Sequence, residues 1–289
     1  MKKPLIGMCV LGRPQATEKC IKALLLHTDR SKFQWAVLDQ NATPEVKEVI
    51  HKYRKEFDYI GQNSFNTGIV FGHNFLMSLR QPSQIYIKWD DDSVIESDNW
   101  LNLILKALSY PDIGSALAIR PTFFVDSPGR KEFFYKEIKI EERAPHFWIY
   151  ISPDRAGVVG CVWAFKGEML DQLQFFNEDL QCDDLDMPLR ISMLALKNIY
   201  LPDCVIKQNE YQLEENIHPR KWIAKALYNK NVIKSPAYYS YYTQDNNIML
   251  ESRFGGWNTA SKSYINGSNE NWNFCEQGKL VNITGTFED

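Results

Sequence analysis

The sequence predicts an α/β protein: a mostly parallel, doubly wound sheet with helices on both faces, extended at its C-terminus by an aromatic-rich segment. Three observations predict it. Short apolar runs alternate with segments whose apolar residues recur at helical spacing, the pattern of βαβ units. The early apolar runs end in residues suited to loops and ligands: Gly12-Arg13-Pro14, Asp39-Gln40-Asn41 and Asp90-Asp91-Asp92. Of 289 residues, 44% are hydrophobic and 24% charged, with 15 Gly and 13 Pro, which excludes collagen-like, disordered and coiled-coil chains.

Taken in order, Pro4 to Leu11 reads as a buried strand that delivers the Gly12-Arg13-Pro14 loop. Ala16, Cys20, Ala23, Leu24 and His27 recur at helical spacing and predict an amphipathic helix of about three turns. Phe33 to Leu38 is a second strand, ended by Asp39. From Pro44 to about Phe57 a helix follows, with Val46, Val49, Ile50 and Tyr53 on one face. Tyr59-Ile60 is a third, short strand, and Gly68 to Arg80 a helix. Ile85 to Trp89 is a fourth strand that runs straight into the three aspartates. Asp98 is placed to cap a helix over Asn99 to Ser109, and Ser115 to Ile119 is another strand. Pro121 to Ala156 mixes aromatic and charged residues without a clear period and reads as an insertion or flap. Val158 to Phe165 is a buried strand, and a helix spans Gly167 to about Leu173. The next helix carries Met187, Ile191 and Leu194 on one face, with Pro188 tolerated in its first turn. Beyond Asp203 the composition shifts, so the chain divides into a core of residues 1–205 and an extension of residues 206–289.

Several classes are excluded. A formal charge of −3 gives no global field toward nucleic acid or anionic membranes, although a local patch remains open. The best apolar run, Gly157 to Phe165, is half the roughly 18 residues a membrane span needs. The N-terminus lacks the small-residue cleavage site of a signal peptide, so the expected chain begins at Met1. Six cysteines (Cys9, Cys20, Cys161, Cys182, Cys204, Cys275) show neither a C-x-x-C pair nor zinc spacing and read as reduced thiols of a cytoplasmic protein. The glycosylation-like triplets at Asn41, Asn266 and Asn282 carry little weight without a secretion signal. The oligomeric state is not encoded in any visible pattern.

Two acidic constellations carry the chemistry. Three consecutive carboxylates repel one another, and a divalent cation is the simplest neutraliser. Alternate residues leaving a strand project to one side, so Asp90 and Asp92 address one site while Asp91 faces away. In open parallel sheets ligands sit outside the carboxyl ends of the strands, where this run falls. Hard oxygen ligands suit Mg²⁺ or Mn²⁺, which bridge phosphate oxygens. The alternative is a solvated turn. The second constellation is Glu178, Asp179, Asp183, Asp184 and Asp186. Its carboxylates suit helix capping at Asp183 and Asp184, an ion pair between Asp186 and Arg190, or a general base aimed into a cleft.

Phe176-Asn177-Glu178, followed by Cys182-Asp183-Asp184-Leu185-Asp186 and Arg190, resembles the acidic signature of family-2-type glycosyltransferases of the GT-A fold. That signature is normally Phe-Asp-Glu, then Glu-Asp-x-Asp-Leu and a later Arg. Ile85 to Asp92 is similar to the family's Asp-x-Asp strand, Leu38 to Thr43 to its Val-Asp-Asn-Gly-Ser, and Asn66-Thr67-Gly68 with His73-Asn74 to its Asn-x-Gly and downstream Asn. The resemblance spans Pro4 to Asp203, with Asp183 where the family has Glu and Cys182 where it has Gly. It implies a metal-dependent, inverting transfer of a sugar from a nucleoside diphosphate to a hydroxyl acceptor. Asp39 then reads the nucleobase, Asp90 the ribose side, and Asp92, with Asp90, the Mn²⁺ or Mg²⁺ that holds the diphosphate. Asp184 is the implied base. Arg13, Asn66 and Asp91 are further donor-side candidates. His218 is a candidate third metal ligand, though a surface histidine beside Arg220 explains it as well.

The acceptor side is assigned to Asp183, Trp257, Tyr242 and Lys221. Gly255-Gly256 allows close backbone approach and Trp257 offers a stacking face, although a tight turn beside a core tryptophan reads equally well. Tyr241-Tyr242 and Arg253 to Trp257 are weakly similar to some phage-type glycosyltransferases. His218 to Lys234 holds Arg220, Lys221, Lys225, Lys230 and Lys234 and no acid. With the nearby tyrosines this suits either a glycan or small-molecule acceptor or a hydroxylated base in DNA. A nucleotidyltransferase fits less well, because Gly12-Arg13-Pro14 is too poor in glycine to cradle a triphosphate. A non-catalytic sugar or nucleic-acid binding module leaves both acidic clusters without a role.

Overall fold

The computed structural model describes residues 2–63, 69–120, 139–152, 160–176, 183–208, 272–276 and 279–282. Twelve strands and six α-helices are present among them. In chain order they are β1 (Leu5–Val10), α1 (Pro14–His27), β2 (Gln34–Asp39), α2 (Pro44–Lys52), β3 (Tyr59–Asn63), α3 (Ile69–Ser78), β4 (Tyr86–Asp90), β5 (Ser93–Ile95), α4 (Trp100–Leu108) and β6 (Ile113–Ile119). The hairpin β7 (Lys139–Ala144) and β8 (Phe147–Ile151) follows, then β9 (Val162–Phe165), α5 (Gly167–Leu173), α6 (Asp183–Met193), β10 (Lys197–Gln208), β11 (Trp272–Glu276) and β12 (Lys279–Asn282).

The sheet runs β12-β11-β3-β2-β1-β4-β9-β6-β10-β8-β7, with β5 paired to β10. β3, β2, β1 and β4 are mutually parallel. β9 enters antiparallel between β4 and β6, and β10 lies parallel to β6. Side chains alternate between the two faces, as the pleat requires. Ile6, Met8, Val10, Ile87 and Trp89 pack under α1, α2 and α4, which contribute Leu24, Val46, Ile50, Trp100 and Ile104. Leu5, Cys9, Leu38 and Tyr86 pack under α3, α5 and α6, which contribute Val70, Leu76, Leu170, Met187 and Ile191. Trp35, Trp89, Trp100 and Trp163 are fully buried, and Trp89 meets Trp100 edge-on at 5.0 Å. An edge-on pair of this kind adds about 0.5–1.5 kcal/mol beyond the area it buries.

The helix placements follow the 3.6 period closely, and the differences have local causes. Residues 54–56 form a separate 3-10 turn, so the second helix stops at Lys52. Asp98 does not cap α4. Asn99 holds that position without a side-chain bond, and Asp98 instead meets His27 Nδ1 at 2.5 Å. Pro188 is the sixth residue of α6 rather than a first-turn residue, and having no N–H it provides no partner for the carbonyl of Asp184. Within the expected flap, residues 139–151 form a hairpin. Its period of two was hidden because both faces are apolar: Phe147, Ile149 and Ile151 are buried, while Trp148 and Tyr150 alternate outward. β5 was not expected from the sequence. It is three residues long, too short for a periodic signal, and it exists because Ser93 to Ile95 pairs with Gln208 to Ile206. Part of the C-terminal extension returns to the core, since β11 lies antiparallel along β3. Cys9, Cys20, Cys161 and Cys204 are buried free thiols. No helix of the described residues is long and apolar enough to cross a membrane.

Candidate active site

Three adjacent parallel strands end side by side, and their last residues are the ones the sequence singled out. Val10 pairs with Asp39 and Cys9 with Asp90, so the end of β1 stands between the two aspartates. The loop after β1 carries Arg13 to the same rim. Helix α3 closes over the neighbouring face at a glycine: a Cβ on Gly72 would lie 2.2 Å from Gln40 Nε2 and 2.6 Å from Cys9 Sγ. Gln40 is fixed in turn by Asn63, whose Nδ2 donates to Gln40 Oε1 at 3.0 Å.

Asp39 is almost fully buried. Its carboxylate accepts the Ala42 backbone N–H at 2.5 Å and has Lys47 Nζ at 3.9 Å. Burial pushes its pKa up, against the lowering effect of the Ala42 N–H and Lys47. A pocket of about 250 Å³ opens beside it, lined by Asp39, Lys47, Ile50, His51, Arg54 and Ile60. A buried carboxylate at the edge of such a pocket is an acceptor for N–H donors of a ligand.

The three consecutive aspartates have three different environments. Asp90 lies 3.2 Å from Lys88 Nζ, and Lys88 also donates to the Gly160 carbonyl at 2.8 Å. Asp91 turns to the other face, under α1, where Thr17 donates to it at 3.3 Å. Its burial raises its pKa to about 7, with Arg13 pulling the other way and its two acidic neighbours adding to the rise. The Thr17 contact places the Asp91 side chain against α1, whereas Asp90 lies against Lys88. Asp92 is buried and forms an ion pair with the Arg13 guanidinium. Beside any cation the acidic run takes up, Lys88 and Arg13 supply positive charge of the chain's own. Lys88 was visible as the one basic residue of the strand Tyr86–Asp90, yet its second contact, the Gly160 carbonyl, lies 72 residues away in sequence.

The residues just after α5 are held from two directions. Asn74, fully buried on α3, binds both backbone groups of Phe176: its Nδ2 donates to the carbonyl at 3.0 Å and its Oδ1 accepts the N–H at 2.9 Å. Arg190 of α6 donates to the carbonyls of Phe175, at 2.8 Å, and Leu173. These bonds fix the turn between α5 and the segment leading to α6. Asp183 and Asp184 form the first residues of α6, and the helix runs through a short turn into β10. The Pro188 carbonyl accepts the Asn198 side chain at 3.1 Å, near the start of β10, whose far end pairs Gln208 with Ser93, next to Asp92. Asn66, His218, Lys221, Tyr242 and Trp257 lie outside the described residues. Among the described residues no three His, Cys, Asp or Glu side chains converge as a metal cluster.

No protein-family model matches the chain, and no curated protein matches it significantly by sequence. Solved structures do. A mannosyltransferase from Pyrobaculum calidifontis in complex with GDP-Man and Mn²⁺ superposes with a TM-score of 0.56 at 17% identity, over 84% of this chain and 70% of that one. GalNAc-T7 with UDP, GalNAc and Mn²⁺ gives 0.57 at 13% identity, over 91% of this chain and 56% of that protein. S. aureus TarS 1-349 in complex with UDP-GlcNAc gives 0.54 at 15% identity, over 91% and 70%. The chain has the GT-A fold. Within this GT-A core, Asp39 and Asp90 are the last residues of the parallel strands β2 and β4, at the end of the sheet where open α/β folds in general bind ligands. The order β3-β2-β1-β4, followed by the antiparallel β9, places that crevice beside β1.

Proposed function

We propose that this protein is a glycosyltransferase that moves a sugar from a nucleoside diphosphate to a hydroxyl acceptor, with a divalent cation at the diphosphate. The observation that carries this reading is the convergence of Asp39, Asp90, Asp92 and Arg13 on one rim of a GT-A core. Fold alone does not fix function, so the reading rests on the chemistry of that rim.

The residues present fit a hard divalent cation. Asp92 and Asp90 offer carboxylate oxygens, and Asp92 already accepts a positive group in the form of the Arg13 guanidinium. When bound, Mn²⁺ or Mg²⁺ would supply positive charge to the departing diphosphate. Asp39, with its adjoining pocket, receives N–H donors of the nucleobase, and Asp90 faces the ribose. Arg13 stands at the mouth, where its guanidinium stabilises diphosphate oxygens in a bidentate manner. Asp184 in the first turn of α6 is the proposed general base. It takes the proton of the acceptor hydroxyl as that oxygen attacks the anomeric carbon and the bond to the diphosphate breaks, with inversion. Asp183 beside it belongs to the acceptor side.

The acceptor is a glycan or small-molecule hydroxyl. The DNA alternative rests on the basic segment 218–234, outside the described residues, and enters as an arm of the test. Nucleoside diphosphate release is measured over a panel of nucleotide sugars with Mn²⁺, using simple glycosides and hydroxymethylated duplex DNA as acceptors. Acceptor-stimulated release from at least one donor, abolished by chelation, is expected. Failure of every donor to bind or turn over overturns the reading.

A further inference from the structure

Among the described residues Lys88 and Arg13 pair with Asp90 and Asp92 of the consecutive aspartates, and they differ in freedom. Lys88 is fixed: its side chain is 5% exposed and is held by the Gly160 carbonyl at 2.8 Å as well as by Asp90. Arg13 is 25% exposed, sits on the loop between β1 and α1, and reaches Asp92 from the mouth of the crevice. A guanidinium on a carboxylate and a divalent cation on the same carboxylate exclude each other by charge and by space. Once displaced, the guanidinium needs another anion, and a diphosphate presents planar pairs of oxygens that match its fork.

We propose that Arg13 is an exchangeable counter-cation: it occupies Asp92 in the ligand-free protein and transfers to the diphosphate when cation and nucleotide bind together. This rests on the metal-dependent reading of the site given above. It assigns Arg13 a positioning and coupling role. The cation alone must break the Arg13–Asp92 pair without compensation, so it binds weakly. The nucleotide supplies the compensation, so each ligand strengthens the other by the same factor. Lys88 stays in place throughout and keeps Asp90 from repelling the incoming phosphates.

The test is direct Mn²⁺ binding, read from the electron paramagnetic resonance signal of free Mn²⁺, with the full-length protein alone and with UDP or GDP. The variants are Arg13→Gln and Arg13→Lys, each checked for an unchanged thermal melt. Without nucleotide, Arg13→Gln should bind Mn²⁺ tighter than wild type, by roughly fivefold or more, the lower end of ordinary coupling. Arg13→Lys, which keeps the charge, should stay near wild type. The strengthening of Mn²⁺ binding by nucleotide should be smaller in Arg13→Gln than in wild type. If wild type binds Mn²⁺ with nucleotide but Arg13→Gln binds it alone no better than wild type, the exchange is refuted while the metal reading stands. If no Mn²⁺ binds to wild type with either nucleotide, the metal-dependent reading itself falls, and this inference with it.

Discussion

Replacing Asn74 by Ala tests whether the backbone at Phe176, after α5, is positioned by a single buried amide. The orientation of that amide is fixed chemically, because one side of it accepts the Phe176 N–H and the other donates to the Phe176 carbonyl. Both Asn74 and Phe176 are fully buried. Truncation therefore leaves two buried backbone groups without their partners, at about 1–3 kcal/mol each. Water entering the vacated space offsets part of this, so a loss of roughly 2–5 kcal/mol in unfolding free energy is expected. Asn74→Asp keeps the acceptor, loses the donor and buries a carboxylate, so it should do no better. Urea denaturation near neutral pH measures the stability, and donor and acceptor kinetics measure the function. Because the anchored turn leads into the helix that carries Asp184, kcat should fall more than the donor KM rises. A loss below about 1 kcal/mol, or a change confined to donor KM, would refute the argument that Asn74 positions this segment.

Gly7→Ala should destabilise by about 1–3 kcal/mol, read by thermal or urea unfolding, because the new Cβ would stand 2.2 Å from the hydroxyl of the fully buried Tyr86. His73 is held neutral by burial, and also by Lys88, well below the ordinary histidine pKa, with Nδ1 at 2.6 Å from the Tyr86 hydroxyl. The unfolded chain takes up a proton near pH 6.5 that the folded chain does not. The stability contribution is therefore full above about pH 6.5 and lost as pH falls, by at most about 1.4 kcal/mol per pH unit. Unfolding measured from pH 7.5 to pH 5 should show a shallower acid loss in His73→Gln than in wild type, and equal slopes would contradict this. Asp184→Asn should lower the transfer rate by a factor on the order of 10² to 10⁴ with nearly unchanged donor affinity, and equal loss of donor binding would make it a donor-side residue.

Much of the core was legible because its signals are local. The spacing of Ala16, Cys20 and Leu24 places α1, and the apolar runs ending in Asp39 and Asp90 place the rim, since a strand followed by a polar turn needs no tertiary information. The partners of those aspartates were not legible. Arg13 meets Asp92 across 79 residues, and Asn74 meets Phe176 across 102. Such pairings depend on strand order, which the antiparallel insertion of β9 and the return of β11 to β3 decide. The hairpin at residues 139–151 was missed for a related reason: in Phe147-Trp148-Ile149-Tyr150-Ile151 every residue is apolar or aromatic, so alternation is seen only once burial is known. Pro188 misled in the opposite direction, because the helix begins earlier than proline preference alone suggests.

Under the proposed function, the rim formed by Asp39, Asp90 and Asp92 binds a nucleoside diphosphate together with a divalent cation. Isothermal titration of UDP and GDP into wild type and Asp92→Ala, each with Mn²⁺ and with chelator, tests it most directly. At least one nucleotide should bind wild type with Mn²⁺, chelation should weaken that binding, and Asp92→Ala should remove the metal dependence while its melt stays cooperative. Equal binding by wild type and Asp92→Ala with Mn²⁺, or no binding of either nucleotide to wild type, would contradict it.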